Sequence, residues 1–254
     1  MNLRINIVLL LVVLSFRFTY TSSPFRIVNG SPADIDEMPY IVALTYHDDD
    51  YHAFCGGALV TMQIVVTAAH CLVKRAPRHI TVLAGRANIR RPQQGRKVES
   101  TFHSCSYNPK TKHMDVGAVK LEAPFDKSPT VKVIPLCNID LKPGTPMHVS
   151  GWGATCPDKD YQTILRKSVS NIIREEECKW YYQYEHIYKS MICAENEGSG
   201  FCFGDSGGPG VIDGQLCGVV SFTAHGCATS LYPLVYTNVK YIGVLRFIQK
   251  AMKC

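Results

Sequence analysis

The sequence predicts a mostly β protein, and three observations carry that expectation. Short runs rich in Val and Ile recur, such as Tyr40-Ile41-Val42-Ala43-Leu44 and Gly218-Val219-Val220-Ser221-Phe222. Such runs form strands because branched side chains suit a pleated surface. Glycine, proline and small polar residues punctuate them as turns. Helical patterning is confined to two segments. One runs from Arg174 to about Tyr182, and the other closes the chain, where Ile242, Leu245 and Ile248 repeat at helical spacing.

Taken from the N-terminus, residues 1–22 read as a secretory signal peptide. Arg4 precedes an apolar run from Ile7 to Leu14, and Thr21, Ser22 and Ser23 follow as small polar residues. The run is too short to span a bilayer, and no other segment is apolar enough to cross one. The expected location is secreted and extracellular, with no membrane contact. Eleven cysteines in such a chain imply a disulfide framework. The formal charge is +6, and it falls to +3 if residues 1–26 are removed, because Arg4, Arg17 and Arg26 leave with no acidic residue. A mildly basic chain of this kind is not a nucleic-acid binder by charge. No repeat or low-complexity linker divides the 254 residues, so one unit, acting as a monomer, is expected.

The chemistry lies in Gly204-Asp205-Ser206-Gly207-Gly208-Pro209. A serine between glycines sits where the backbone turns tightly and offers N–H groups beside the hydroxyl. That is a nucleophile with an oxyanion hole next to it. A lone pattern of this kind is weak, but two partners stand upstream. Val66-Thr67-Ala68-Ala69-His70-Cys71 supplies a histidine, and His113-Met114-Asp115-Val116 supplies an aspartate at the head of an apolar run. The order His, Asp, Ser is one of the known orders of a catalytic triad.

With these segments the chain resembles the trypsin/chymotrypsin family of serine proteases. The resemblance runs from Ile27 to the C-terminus. It includes Arg26-Ile27-Val28-Asn29-Gly30, Cys55-Gly56-Gly57, Gly151-Trp152-Gly153, Ser221-Phe222 and Pro233-Leu234-Val235-Tyr236-Thr237. It implies an all-β, chymotrypsin-like fold: two six-stranded antiparallel β-barrels with a short intermediate helix and a C-terminal helix. The triad would lie between the barrels. The resemblance also implies roles. Ser206 attacks, His70 takes and returns the proton, and Asp115 fixes the imidazole. The N–H groups of Gly204 and Ser206 hold the oxyanion, and Ser221 supports the aspartate. Residues 23–26 become a short activation propeptide and residues 27–254 the catalytic domain. Cleavage after Arg26 by a trypsin-like activating protease frees Ile27, whose amine pairs with Asp205. The substrate is a protein or peptide, and neither cofactor nor metal is implied.

The resemblance pairs Cys55 with Cys71, Cys178 with Cys193, and Cys202 with Cys227. A further family bridge would join the positions held here by Met147 and Ile212. Cys105, Cys137, Cys156, Cys217 and Cys254 remain. Snake-venom serine proteases tie a C-terminal tail to the loop before the catalytic aspartate. Cys105–Cys254 would be similar, Cys137–Cys254 is the rival, and Cys156–Cys217 is a looser pairing.

The substrate pocket departs from the family pattern. Gly200, six residues before Ser206, stands where trypsin-like members carry an aspartate. Thr223 and Leu234 stand where trypsin and chymotrypsin have wall glycines, and Phe201 adds bulk. The pattern resembles elastase and implies cleavage after small aliphatic residues. Two alternatives stand beside it: a chymotrypsin-like preference for large apolar residues, and a pocket closed so far that activity is restricted or negligible. Gly117 and Gly210 replace an alanine and an apolar residue usual in the family, which suggests looser packing. Residues 86–97 are basic and hold no carboxylate. That argues against calcium and reads either as a solvated loop or as a site, from Arg86 to Lys97, for an anionic glycan or acidic protein. His47-Asp48-Asp49-Asp50-Tyr51-His52 holds metal-ligand types, but reads first as an exposed loop that tunes the part of the cleft taking residues after the scissile bond and only second as a metal site.

Overall fold

In the computed structural model, residue 28 and residues 30–47, 49–155, 161–195 and 197–254 are described. The expected signal peptide, the propeptide, Arg26, Ile27 and Cys156 lie outside the described residues. The described chain enters as a two-residue strand, β1 (Ser31–Pro32). The first barrel then follows as β2 (Ile41–Tyr46), β3 (Asp49–Leu59), β4 (Ile64–Thr67), β5 (Ile80–Ala84), β6 (Gln94–His103) and β7 (Gly117–Leu121). It closes in the order β2-β3-β4-β7-β6-β5. The second comprises β8 (Pro146–Gly151), β9 (Arg166–Ile172), β10 (Met191–Glu195), β11 (Pro209–Ile212), β12 (Gln215–Phe222) and β13 (Leu234–Asn238). Its order is β9-β10-β13-β12-β11-β8, and the pairing of β8 with β9 closes it, while β1 adds to β9 from outside. The fold is thus two closed six-stranded antiparallel barrels.

The continuous apolar run in β2 has a physical reason. A strand covered on both faces has no polar side to alternate with. Val42 and Leu44 fill the first barrel. Ile41 and Ala43 point the other way and join Met38, Leu83, Trp152 and Leu165 in a cluster that ties the two barrels together. The cleft between the barrels therefore rests on an apolar seam.

Three α-helices are described: α1 (Ala69–Leu72), α2 (Glu175–Tyr181) and α3 (Ile242–Ala251). Glu175, Glu176 and Glu177 occupy the first turn of α2, where carboxylates oppose the positive end of the helix dipole. In α3 the buried stripe is Val244, Ile248 and Ala251, while Ile242 is exposed. Steps of three and four residues both fit a helical repeat, so the sequence located the helix better than its inward face.

Four disulfides are formed among the described residues. Cys55–Cys71, Cys178–Cys193 and Cys202–Cys227 have Cα separations of 6.2, 6.1 and 4.0 Å. The fourth joins Cys137 to Cys217 across 80 residues of sequence. It corrects the pairings Cys156–Cys217 and Cys137–Cys254. Its cause is local geometry: Leu136 and Leu216 form a parallel bridge, and Cys137 N–H donates to Leu216 O at 3.1 Å. Cys105 and Cys254 are a second correction. They border one cavity but are not bonded to each other, and both are exposed free thiols. Met147 and Ile212 are buried on neighbouring strands β8 and β11. The expected loosening at Gly117 and Gly210 does not occur. Leu72 Cδ1 fills the space beside Gly117, and Met147 Sδ fills that beside Gly210.

Candidate active site

Strand β4 runs almost directly into the single turn of α1, which places His70 at the mouth of the first barrel. Asp115 lies two residues before β7 and is fully buried. Its Oδ2 lies 2.7 Å from His70 Nδ1, and its Oδ1 accepts the His70 backbone N–H at 2.9 Å. Two contacts from the second barrel complete the setting. Ser221 Oγ donates to Asp115 Oδ2 at 2.6 Å, and Thr237 Oγ1 donates to the Asp115 carbonyl at 2.8 Å. The register of β12 against β13 slips between Val220 and Phe222. Such a bulge re-aims a side chain, and here the residue between them is Ser221. Burial raises the Asp115 carboxyl, but hydrogen bonds from His70 and Ser221 outweigh it and hold the group below its usual value. The carboxylate stays ionised and orients the imidazole through the Nδ1 contact. The approach to Asp115 is strained: Met114 has φ +53°, unusual for a residue with a side chain.

Ser206 lies in the turn between β10 and β11. Gly204 there has φ +95° and Gly207 φ +78°. A side chain on Gly207 would meet Thr67 Oγ1 at 2.0 Å. The turn is tied down by Gly56 N–H to Ser206 O at 2.8 Å and by Gly207 N–H to Val220 O at 2.8 Å. Asp205 points away from the cleft and is fully buried. It accepts the N–H groups of Gly153 at 2.8 Å and Cys202 at 3.0 Å. Burial pushes its carboxyl up to about 7, against those two donors. Nearby, Gly200 N–H donates to Val28 O at 3.0 Å, which brings the chain just after the expected activation junction to this region.

One cleft of about 510 Å³ collects most of these groups. His70, Gly204, Ser206 and Ser221 border it together with Phe201, Phe203, Phe222, Thr223 and Gly226. Gly200 and Leu234 do not border it, which alters the expected pocket. Leu234 is fully buried, and its Cδ1 fills the space over Gly200. Phe201 packs edge-on against Tyr236 at 5.3 Å. The region of the expected base is therefore filled rather than deep. Sequence reasoning missed Phe203 as a pocket residue. Its ring lies against Gly226, where a Cβ would come within 2.5 Å. It also missed the far half of the cleft: Tyr46, Phe54, Arg75 and Tyr161. The basic character of Arg75 was legible, but nothing local tied it to the cleft. Cys55, His70 and Cys71 are close enough to bind a metal together, but the two sulfurs are bonded to each other and offer no thiolate.

A two-barrel fold with a buried aspartate bonded to a histidine, and a serine turn at the same cleft, defines a chymotrypsin-like serine protease. A family model for trypsin matches residues 27–245. The chain belongs to the trypsin family and is a serine endopeptidase. It is 38% identical over 218 residues to seminase of Drosophila melanogaster, covering 84% of this chain and 77% of seminase. It is 36% identical over 220 residues to a trypsin of Xenopus laevis, covering 84% of this chain and 86% of that protein. Among solved structures, neuropsin, a serine protease expressed in the limbic system of mouse brain, aligns with a TM-score of 0.78. Identity is 30%, and the alignment covers 88% of this chain and 98% of neuropsin.

Proposed function

We propose that this endopeptidase is secreted as a zymogen and cleaves after small aliphatic residues, using Ser206, His70 and Asp115 as its triad. In this reading His70 removes the Ser206 proton as the hydroxyl attacks the carbonyl, then returns it to the leaving amine. Asp115 stabilises the imidazolium, supported by its ionised state and by Ser221. The N–H groups of Gly204 and Ser206 hold the oxyanion. Cleavage after Arg26 by a trypsin-like protease creates an ammonium at Ile27 that pairs with Asp205. A buried carboxylate held by neutral donors alone is the setting in which a cation has most to offer. The exposed side chains of Arg86, Arg90, Arg91 and Lys97 support an anionic glycan or acidic protein as a secondary ligand.

The observation that carries the specificity is Leu234 packed over Gly200, with Phe201 alongside. A long basic or large aromatic side chain would collide there, and Arg would also lose its hydration without a carboxylate in return. A peptide-library profile of the chain cleaved behind Arg26 tests this. Cleavage after Ala or Val should exceed that after Arg or Phe at least about tenfold, the scale of one or two methylene-sized mismatches. Best cleavage after Arg or Lys would refute the reading. The contact of Phe203 with Gly226 favours a second reading, a largely closed pocket. In that case a fluorophosphonate probe labels Ser206 while small peptides are left intact.

A further inference from the structure

The half of the cleft built by the first barrel carries a cation. The Arg75 guanidinium lies 4.6 Å from the centre of the Phe54 ring and 5.9 Å from that of Tyr46. Its Nε donates to Tyr46 Oη at 2.9 Å, and its Nη1 donates to the carbonyls of Cys71 at 2.9 Å and His70 at 3.4 Å. All three acceptors are neutral, so they fix the group without cancelling its charge. Those bonds use Nε and Nη1, which leaves Nη2 for another acceptor. Arg75, His70 and Ser206 border the same cleft.

We propose that Arg75 makes this protease select an acidic side chain, Asp or Glu, on the leaving-group side of the scissile bond. The proposal rests on the protease reading above. His70 protonates the leaving amine, so the peptide that begins with that amine departs past His70. The wall on that side is formed by Cys55, Phe54, Tyr46 and Arg75, all from the first barrel. A planar guanidinium matches a carboxylate well. Stacking on Phe54 and three hydrogen bonds hold it in place beforehand, so little side-chain freedom is lost on binding. The opposite half offers Phe201, Phe203, Phe222 and Thr223, with no charge. The two halves therefore ask for different chemistry: a small apolar residue before the bond and an acid after it.

The test uses the chain cleaved behind Arg26. Peptides carry Ala before the scissile bond and Glu, Gln or Lys at each of the first three positions after it. At one position Glu should exceed Gln in kcat/KM by about fivefold, the scale of one partly exposed charge pair, with Lys lower still. The preference should shrink as salt is raised. Arg75→Met should abolish it, Arg75→Lys should keep a reduced form, and Arg75→Glu should turn it toward Lys. A chromogenic amide with no residue after the bond, together with fluorophosphonate titration, reports the protease reading separately. If that amide is not cleaved, the reading fails and the proposal goes with it. If it is cleaved and Glu is not preferred, or Arg75→Met keeps the preference, Arg75 is not the determinant. Should Arg75→Met fail to fold, the salt dependence and Arg75→Lys decide.

Discussion

At the scale of residues, the site separates groups that do chemistry from groups that shape it. Ser206→Ala should lower activity on the order of 10⁶-fold while leaving the fold intact, because the serine is only partly buried and packs little. A mutant with a tenth of normal activity would remove Ser206 from the mechanism. Asp115→Asn should cost on the order of 10⁴ in kcat, because an amide holds the wrong imidazole tautomer. Steady-state kinetics on an ester, with fluorophosphonate titration of active sites, would measure both. The pocket gives a different kind of prediction. Leu234→Gly with Thr223→Gly should move preference toward Phe. It should also destabilise the chain by several kcal/mol, since Leu234 is fully buried. A cleavage profile still centred on Ala and Val would mean that Phe201, rather than Leu234, sets the depth.

Elements turn these local choices into a cleft. Strand β7 can follow Asp115 closely because Gly117 lets Leu72 of α1 lie against it. A Cβ at Gly117 would come within 2.7 Å of Leu72 Cδ1 and 3.1 Å of Phe102 O. Gly117→Ala should therefore cost about 1–3 kcal/mol by overpacking, and adding Leu72→Val should return part of it. Additive losses in denaturant unfolding would show that the two positions do not share the space. The Cys137–Cys217 bridge acts over a longer span. Closing an 80-residue separation should contribute about 4 kcal/mol through the unfolded chain. The double replacement Cys137→Ala with Cys217→Ala should show that loss in the same experiment.

At the scale of the whole molecule, what the sequence disclosed follows the range of the contacts involved. The strand runs, and the segments that carry Ser206, His70 and Asp115, are written in consecutive residues, so the fold class was legible and these three could be read as candidates from sequence. Pairings between distant segments were not legible. Cys137 meets Cys217 only because the connection between β7 and β8 runs beside β12 at Leu136, and Arg75 meets the cleft only because α1 and the β2–β3 hairpin fold together. The filled space under Gly200 is similar: Leu234 was read as a wall, but its depth depends on three separate strands and turns. Asp205 couples this architecture to pH. Its folded value of about 7 lies above the ordinary 3.8 of an aspartate. The folded chain therefore keeps a proton that the unfolded chain has lost, and the stability tied to this group is full below about pH 4 and falls as pH rises through 7. The loss is on the order of 4 kcal/mol if nothing compensates it. An Ile27 ammonium beside Asp205 would compensate it, since an opposite charge lowers the carboxyl again. Asp115 acts in the opposite sense, losing stability as pH falls, but it does so in both forms and drops out of their difference. The precursor should thus lose melting temperature between about pH 4 and pH 7 more steeply than the chain cleaved behind Arg26. Asp205→Asn should flatten the precursor's profile. Identical pH slopes in the cleaved and uncleaved chains would mean that the new amine never reaches Asp205.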